Sequence, residues 1–236
     1  MARMRAVKQQ LKDLLSAPDW RDHLSELRSM GQPAVGPLFS FLLLEPLMRH
    51  KAALALGQVV AGLDEGSAED MHNIMRRLMW HMNEESGNIG WGIPEAFGET
   101  LAASPLLARE FHRVLISYII SLDRDDNFCD HPPLRRSCFW AIGRLAQADP
   151  GLAQSARGWL RKGLEDEDML CRGMAAWALG QLPPDIMDAP ALRRLAEADH
   201  TELCSVFDGE TITEASVSTL ARDVLRTNAP ANPAQG

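Results

Sequence analysis

Residues 171–180, CRGMAAWALG, carry the pattern that decides the fold of this chain. An arginine is followed by small and apolar residues, and the run closes on a glycine eight positions after the arginine. The same small-apolar-glycine ending returns in residues 49–57 (RHKAALALG), 90–98 (GWGIPEAFG) and 135–143 (RRSCFWAIG). The four glycines, with Ala221 in a fifth position, stand 37 to 45 residues apart. A period of about forty residues predicts a stack of helical-hairpin repeats.

The glycine inside each predicted helix needs a physical reason, because glycine costs about 1 kcal/mol against alanine in a helix interior. A free-energy cost that recurs at one position of every repeat implies a stabilising contact that recurs at the same position. The simplest gain is close approach of another helix, which a residue without a side chain permits. We therefore predict that Gly57, Gly98, Gly143 and Gly180 each lie against a neighbouring helix.

A companion helix is predicted between successive copies of the pattern. The candidates are residues 37–44, 68–82, 106–122 and 151–164, and the methionines of the second recur on one helical face. Each repeat is therefore predicted to be a helix, a turn and a second helix.

Boundary signals agree with helices throughout. Ser104-Pro105 and Asp149-Pro150 place a capping side chain before a proline at the first helical position. Residues 211–214, TITE, match a capping box and predict another helix start. No alternating apolar run is long enough to predict a sheet.

These observations predict an all-α fold, a right-handed superhelix of about five helical hairpins of the HEAT or armadillo type. Residues 1–31 are predicted to form N-terminal capping helices, because a solenoid needs its exposed end covered. Residues 32–227 are predicted to form the solenoid. Residues 228–236 are rich in Ala, Pro, Asn and Gln and are predicted to be a disordered tail.

Charge narrows the classes of partner. The net charge of −8 over 236 residues disfavours duplex binding, which depends on Lys and Arg neutralising phosphates. The four cysteines form no C-x-x-C pair, so a reducing compartment is expected. The N-terminus has no apolar signal core, and no apolar run is long enough to span a bilayer. We therefore expect a cytoplasmic protein with no membrane association.

The repeats resemble HEAT-like repeats of the type named after phycobilisome lyase, whose signature is roughly V-R-x-x-A-A-x-A-L-G. Residues 171–180 match it best and residues 48–57 match it well. Residues 134–143 match less closely, and residues 89–98 replace the arginine with glycine and insert a proline. The resemblance implies a helical superhelix. It leaves the activity open, because such families include scaffolds, transport factors, bilin lyases, a di-iron hydroxylase and DNA glycosylases.

Residues 87–95, GNIGWGIPE, surround Trp91 with glycines and place Pro94 at a helix start. One interpretation is a set of backbone N–H groups that binds an anion, with Trp91 as an exposed platform. The other is a tight turn between repeats in which Trp91 fills a groove.

Trp140 and Trp177 each stand three residues before their glycine, and Glu95 holds the same position in its repeat. Residues at one position of successive repeats line one strip of a solenoid. With Arg144 and Arg172 nearby, this strip is either a binding surface or the core between repeats.

Metal and nucleophile motifs are weak. No His-Glu dipeptide, as in the HEAT-like di-iron hydroxylases, occurs in the chain. His81 and Glu84 form an i, i+3 pair, and residues 129–131, Cys-Asp-His, are a compact group of possible ligands. A zinc site needs three or four ligands with good geometry, so a solvated loop or helix face is the favoured interpretation. We predict no metal, no cofactor and no catalytic residue.

The leading hypothesis is a non-catalytic scaffold or adaptor that binds a protein or peptide on the solenoid surface. The alternative is a lyase-type enzyme or small-ligand binder with a pocket near Trp91, Glu95, Asp126, His131 and Arg135. A third hypothesis, DNA binding of the glycosylase type, is disfavoured by the acidic charge.

Overall fold

A computed structural model describes residues 2–63, 68–83, 90–122 and 127–228 of the chain. These residues are mostly helical. The helices are α1 (Ala2–Ser16), α2 (Leu24–Ser29), α3 (Gln32–Phe41), α4 (Pro46–Ala61), α5 (Ala68–Met82), α6 (Ile93–Ala103), α7 (Pro105–Ser117), α8 (Pro132–Ala148), α9 (Pro150–Ala153), α10 (Arg157–Gly163), α11 (Met169–Leu179), α12 (Ala189–Glu197) and α13 (Val217–Thr227). Two strands, β1 (Leu203–Phe207) and β2 (Ile212–Ser216), stand between α12 and α13.

Five helical hairpins form an α-solenoid, as predicted. They are α3 with α4, α5 with α6, α7 with α8, α9 and α10 with α11, and α12 with α13. The second helices pack on one another in chain order from α4 through α6, α8 and α11 to α13, and we call them the central layer. Helices α1 and α2 pack on α3 and α4 at the N-terminal end. One continuous apolar core runs through the repeats.

The first two glycines of the repeat lie where central-layer backbones meet. A Cβ atom on Gly57 would stand 2.6 Å from the carbonyl oxygen of Glu99 in α6. A Cβ atom on Gly98 would stand 2.7 Å from the Cα atom of Ala141 in α8. Both distances are shorter than any side chain tolerates, so the predicted close approach is confirmed.

The last two glycines accommodate a side chain of the next helix. The indole of Trp177, in α11, occupies the space that a Cβ atom on Gly143 would need. The Cγ2 atom of Val224, in α13, would lie 2.6 Å from a Cβ atom on Gly180. The same glycine position therefore serves two kinds of contact along the solenoid.

Companion helices differ in extent from their predicted ranges. Helix α7 ends at Ser117 rather than at residue 122, and a 3₁₀ turn at Gln154–Ala156 separates α9 from α10. The predicted caps are present, with Ser104 Oγ accepting from the Leu107 N–H and Asp149 Oδ1 accepting from the Leu152 N–H. No helix of the described ranges is long and apolar enough to cross a membrane.

The expectation of no sheet is wrong, because β1 and β2 form an antiparallel hairpin. The turn depends on Gly209, whose φ of 99° lies in the region that favours glycine. The carboxylate of Asp208 accepts hydrogen bonds from the backbone N–H groups of Glu210 and Thr211. Each strand has five residues, too few for their alternation to stand out in the sequence.

The predicted capping box is also wrong. Thr211 lies in the hairpin turn and Glu214 lies within β2. Helix α13 begins later, where the Ser216 hydroxyl accepts from the Thr219 N–H at 3.1 Å. The predicted tail begins at Asn228, and its residues 229–236 lie outside the described residues.

The hairpin lies across the central layer. Strand β1 packs on α11, and the Phe207 ring at its end stacks on His50 of α4 with 4.8 Å between ring centroids. At the hairpin tip, a Cβ atom on Gly209 would lie 3.2 Å from Nη1 of Arg21. The hairpin therefore reaches from the last repeat to the N-terminal end of the solenoid.

Candidate functional site

A groove lies between the N-terminal turns of the central layer and the β hairpin, and encloses a cavity of about 260 Å³. Helices α4, α6, α8 and α11 supply its helical walls, and β1 with β2 closes the remaining side. Its lining residues are Pro46, Arg49, His50, Trp91, Glu95, Pro133, Arg136, Ser137, Trp140, Leu170, Met174, Leu203, Cys204, Ser205 and Ile212. The mixture of aromatic, apolar and charged side chains is typical of a ligand site.

Glu95 supplies an unpaired buried acceptor to this groove. It lies in the first turn of α6 and is 3% exposed. Its Oε1 accepts from the Ser137 hydroxyl at 2.9 Å, whereas Oε2 is buried without a hydrogen-bond partner in the described structure. Burial raises the pKa of Glu95. Hydrogen bonds from its own backbone N–H and from the Ser137 hydroxyl, together with the charge of Arg49, only partly oppose this rise in pKa.

His50 is held in an aromatic setting beneath the hairpin. Its ring lies 4.8 Å from Phe207 and 4.7 Å from Trp140, measured between centroids. Burial, aided by the charge of Arg49, lowers the pKa of His50 to about 3. The imidazole is therefore neutral at physiological pH. Its Nδ1 atom is buried without a hydrogen-bond partner in the described structure.

The two arginines of the groove are already engaged. Arg49 donates to the carbonyl oxygens of Leu42 at 3.1 Å and Leu44 at 3.3 Å. Its guanidinium also stands 5.4 Å from the ring centroid of Trp91. Arg136 donates two hydrogen bonds to the carboxylate of Asp168, at 3.1 and 3.3 Å. In contrast, one oxygen of Glu95 remains available.

The arginine that opens the repeat pattern has a structural role. Arg135 donates to the carbonyl oxygens of Cys129 at 2.8 Å and Asp130 at 2.9 Å, and it pairs with Asp166 through two further bonds. Arg172 donates to the carbonyl oxygen of Asp166. Arg49 serves its own preceding turn in the same way. The shared position thus satisfies backbone carbonyls of the turn before each helix.

Arg135 borders a second cavity, of about 600 Å³, instead of the groove. That cavity lies between the turns that precede α8 and α11, and its lining includes Phe128, Trp159 and Asp166. The residues proposed for one small-ligand pocket are therefore divided between two cavities. Arg172 borders a third depression, of about 360 Å³, with Arg194 and His200.

Trp91 and His131 meet at the edge of the groove. Their rings are 5.7 Å apart and nearly perpendicular. Trp91 is half-buried and lines the cavity, whereas His131 contacts it from behind. Gly92, with φ of 75°, brings the turn close to Leu42, where no side chain would fit. Asp126 and residues 87–89 of the proposed anion site lie outside the described residues.

Trp140 and Trp177 pack between repeats. Their rings are stacked, with 6.3 Å between centroids and 5° between planes. Trp140 is 2% exposed, and its Nε1–H donates to the carbonyl oxygen of Phe207 at 3.3 Å. Trp140 forms the floor of the groove, and Trp177 lies against Gly143.

Arg144 joins repeats through a chain of side-chain hydrogen bonds. It donates to both carboxylate oxygens of Glu99, each at 3.0 Å, and to Gln147. Gln147 in turn donates to Gln181 at 2.8 Å. Arg144 therefore lies on the central layer without facing the groove.

The groove residues that sequence reasoning missed include four polar residues of the helices, namely Arg49, His50, Arg136 and Ser137. The repeat register contained a signal for two of them. His50, Trp91 and Arg136 each follow the first position of the pattern, and all three line the groove. No sequence signal places the hairpin residues Leu203 and Ser205 beside them.

The thiols are free and differ in environment. Burial raises the pKa of Cys138, Cys171 and Cys204, the last to about 11. A hydrogen bond with Cys138 is the main influence that lowers the pKa of Cys129. Among the residues that the structure describes, no cluster of His, Cys, Asp and Glu is arranged to hold a metal ion.

No protein-family model matches the chain. It is similar to an uncharacterized protein of Archaeoglobus fulgidus, with 28% identity over 181 residues, which cover 76% of this chain and 88% of that protein. A designed armadillo repeat protein is similar in structure, with a TM-score of 0.44 and 15% sequence identity. That match covers 93% of this chain and 99% of that protein. The solenoid assignment rests on the helices and glycine contacts described above.

Proposed function

We propose that this chain is a non-catalytic scaffold or adaptor, built from HEAT-like repeats of the phycobilisome-lyase type, that binds a protein or peptide in the groove. The observation that carries the proposal is the unpaired, buried Oε2 of Glu95 in a groove that consecutive repeats build together. A buried polar atom without a partner is rare in native proteins, and a bound group is a common reason for one.

The composition of the groove supports a macromolecular partner. Trp91 is half-buried, and Leu203 at the rim is 54% exposed. Aromatic and apolar side chains around a desolvated polar group form the usual centre of a protein interface. A solenoid also offers the adjoining helices for further contacts.

A small-ligand binder is the second candidate, because the groove encloses a defined cavity. Its volume of about 260 Å³ lies just below the usual range of ligand pockets, about 300–1,000 Å³. Arg135 borders the other cavity, so the lyase hypothesis loses one of the side chains proposed for its pocket.

DNA binding has less support, because three arginines of α8 are paired within the chain. Arg135 pairs with Asp166, Arg136 with Asp168, and Arg144 with Glu99. Arginines engaged by carboxylates are poor partners for phosphates.

The proposal is tested by photo-crosslinking from a defined position in the groove. The photoreactive residue p-benzoylphenylalanine replaces Leu203, at the rim, and the protein is irradiated in lysate of its own host. The matched control carries the same residue in place of Leu106, which is 45% exposed on α7 and does not line the groove.

We expect a discrete protein adduct from position 203 that is absent from position 106. Trp91→Ala should reduce this adduct at least fivefold. Equal labelling from both positions, or no protein adduct at position 203, contradicts the proposal. A small-molecule adduct alone at position 203 supports the second candidate.

A further inference from the structure

In the described structure, the groove lacks a hydrogen-bond donor for Oε2 of Glu95. An ionised carboxylate offers acceptors on both oxygens, and only Oε1 receives a hydrogen bond. Leaving a buried acceptor unpaired destabilises the folded protein. The missing partner is a hydrogen-bond donor that enters from the cavity, because Glu95 lines it.

No positively charged neighbour among the described residues forms an ion pair with Glu95, although the charge of Arg49 lowers its pKa. Arg136 is paired with Asp168, and Arg49 is held by two backbone carbonyls and the Trp91 ring. His50 is neutral because burial lowers its pKa to about 3.

The nearby thiols do not compensate either. Cys138, behind Glu95 on α8, and Cys204, on β1, have pKa values raised by burial and remain neutral. A cation from outside the chain would therefore find one carboxylate in the described lining of this cavity, that of Glu95, without an ion-pair partner.

The hydrogen bonding of the Glu95 carboxylate favours one kind of cation. Ser137 already donates to Oε1, so a guanidinium that binds both oxygens would have to share Oε1 with that hydroxyl. An ammonium is a compact charge that needs one acceptor oxygen. The cavity has room for roughly nine water molecules at about 30 Å³ each, enough for a short alkyl stem. Met174 and Leu203 supply apolar contacts for that stem, and the Trp91 ring adds a cation-attracting face.

We propose that the groove binds a primary ammonium group, whose N–H donates to Oε2 of Glu95. The inference rests on the proposed function only in taking the groove as the binding surface. The ammonium has two possible sources, a lysine side chain of a partner or a free alkylamine.

The hairpin edge favours a lysine in an extended segment. The Val217 N–H donates to the Glu202 carbonyl and the Asp208 N–H donates to the Thr211 carbonyl. Because antiparallel pairs alternate, the backbone groups of Ser205 point away from β2. Ser205 also lines the cavity, so a peptide strand could pair along this edge while its lysine enters the groove.

The test is isothermal titration calorimetry with three probes. They are n-butylammonium chloride, the capped pentapeptide acetyl-VTKTV-amide, and the same peptide with norleucine in place of lysine. We expect the lysine peptide to bind at least tenfold more tightly than the norleucine peptide, a difference of about 1.4 kcal/mol. Butylammonium should bind more weakly than the lysine peptide, and tighter binding by butylammonium identifies a free amine as the source.

Proton release gives a second signature. Burial raises the pKa of Glu95, so its carboxyl keeps a proton to higher pH than an exposed glutamate does. An ammonium must displace that proton, and titrations in buffers of different ionisation enthalpy will measure the release. Glu95→Gln should abolish the release and weaken the lysine peptide at least tenfold. The matched control is Glu99→Gln, one turn along α6, because Glu99 faces Arg144.

Equal binding of the lysine and norleucine peptides, or no binding of any ammonium probe, overturns the inference. Unchanged binding by folded Glu95→Gln protein does the same. If that variant does not fold, the comparison of lysine and norleucine peptides on the wild-type protein still tests the inference. A partner crosslinked from position 203 whose yield does not change in Glu95→Gln would leave the proposed function standing without the ammonium site.

Discussion

Single residues of the repeat pattern act on backbone rather than on ligands. The arginine satisfies carbonyl oxygens of the turn before its helix, as Arg135 does with Cys129 and Asp130. The glycine removes a Cβ atom where two helices meet, as Gly98 does against Ala141. A residue type that recurs with the period of the fold is therefore explained first by the contacts that recur with it.

Gly98→Ala should lower the free energy of unfolding by about 1–3 kcal/mol, because its methyl group would overlap the backbone of α8. The matched control is Gly36→Ala, also inside a helix, where a Cβ atom would meet nothing within 4 Å. That control should be neutral or should stabilise the protein by up to about 1 kcal/mol. Urea denaturation of both variants measures the difference, and equal effects would refute the close-approach account.

The hairpin is the element that completes the groove. It brings Phe207 against His50 of α4 and places Ser205 opposite Glu95. It also covers Trp140, which would otherwise present a large aromatic surface on the central layer. The helices alone would leave an open face, whereas the hairpin adds a wall on one side of the cavity.

Phe207→Ala should lower the free energy of unfolding by about 3–5 kcal/mol, because Phe207 is 1% exposed. It should also raise the pKa of His50 from about 3 toward 6.5 by admitting water. The wild-type folded state disfavours the charged imidazole, so wild-type stability should fall as pH drops from 6.5 toward 3. The variant should lose part of that dependence.

NMR titration of the His50 ring and urea denaturation across this pH range provide the measurements. An unchanged pKa of His50 in a folded Phe207→Ala variant would contradict the covering role of the hairpin. Leu203→Ala, on the same strand but 54% exposed, is the control and should leave His50 unaffected.

Ion pairs connect neighbouring repeats from α6 to the residue that precedes α12. Glu99–Arg144 links α6 to α8, and Arg135–Asp166 links α8 to the turn before α11. Asp188, 1% exposed before α12, pairs with Arg157 and Arg161 of the preceding repeat. A solenoid is stabilised by such nearest-neighbour interfaces, so each repeat depends on the next.

Asp188→Ala should lower the free energy of unfolding by about 3–5 kcal/mol, because it removes the buried carboxylate that is hydrogen-bonded to Arg157 and leaves only that of Asp185, at 3.9 Å. Glu165→Ala removes another ion pair between the same two repeats, with Arg194, but its partners are 66% and 71% exposed. That control should cost at most about 1 kcal/mol. Urea denaturation of both variants measures the two losses of stability. Similar losses would show that burial does not determine how much an ion pair contributes to this interface.

The sequence by itself determined the repeat, the pairing of helices and the glycine contacts, because these depend on local patterns that recur about every forty residues. It also brought Trp91 and Glu95 to attention, because both depart from the repeat pattern. Local periodicity expresses which face of a helix is buried, and that face determines how neighbouring repeats stack.

Only the tertiary structure decided what surrounds Glu95. Ser137, its hydrogen-bond partner, is 42 positions away, and Phe207, which fixes Trp140, is 67 positions from it. The hairpin has no counterpart in the other repeats described, so the repeat period of the sequence does not predict it. Its short strands are stabilised by packing on the helices. The solenoid forms through contacts between repeats that are adjacent in sequence. The groove forms because the hairpin, from the last repeat, contacts α4 of the first repeat.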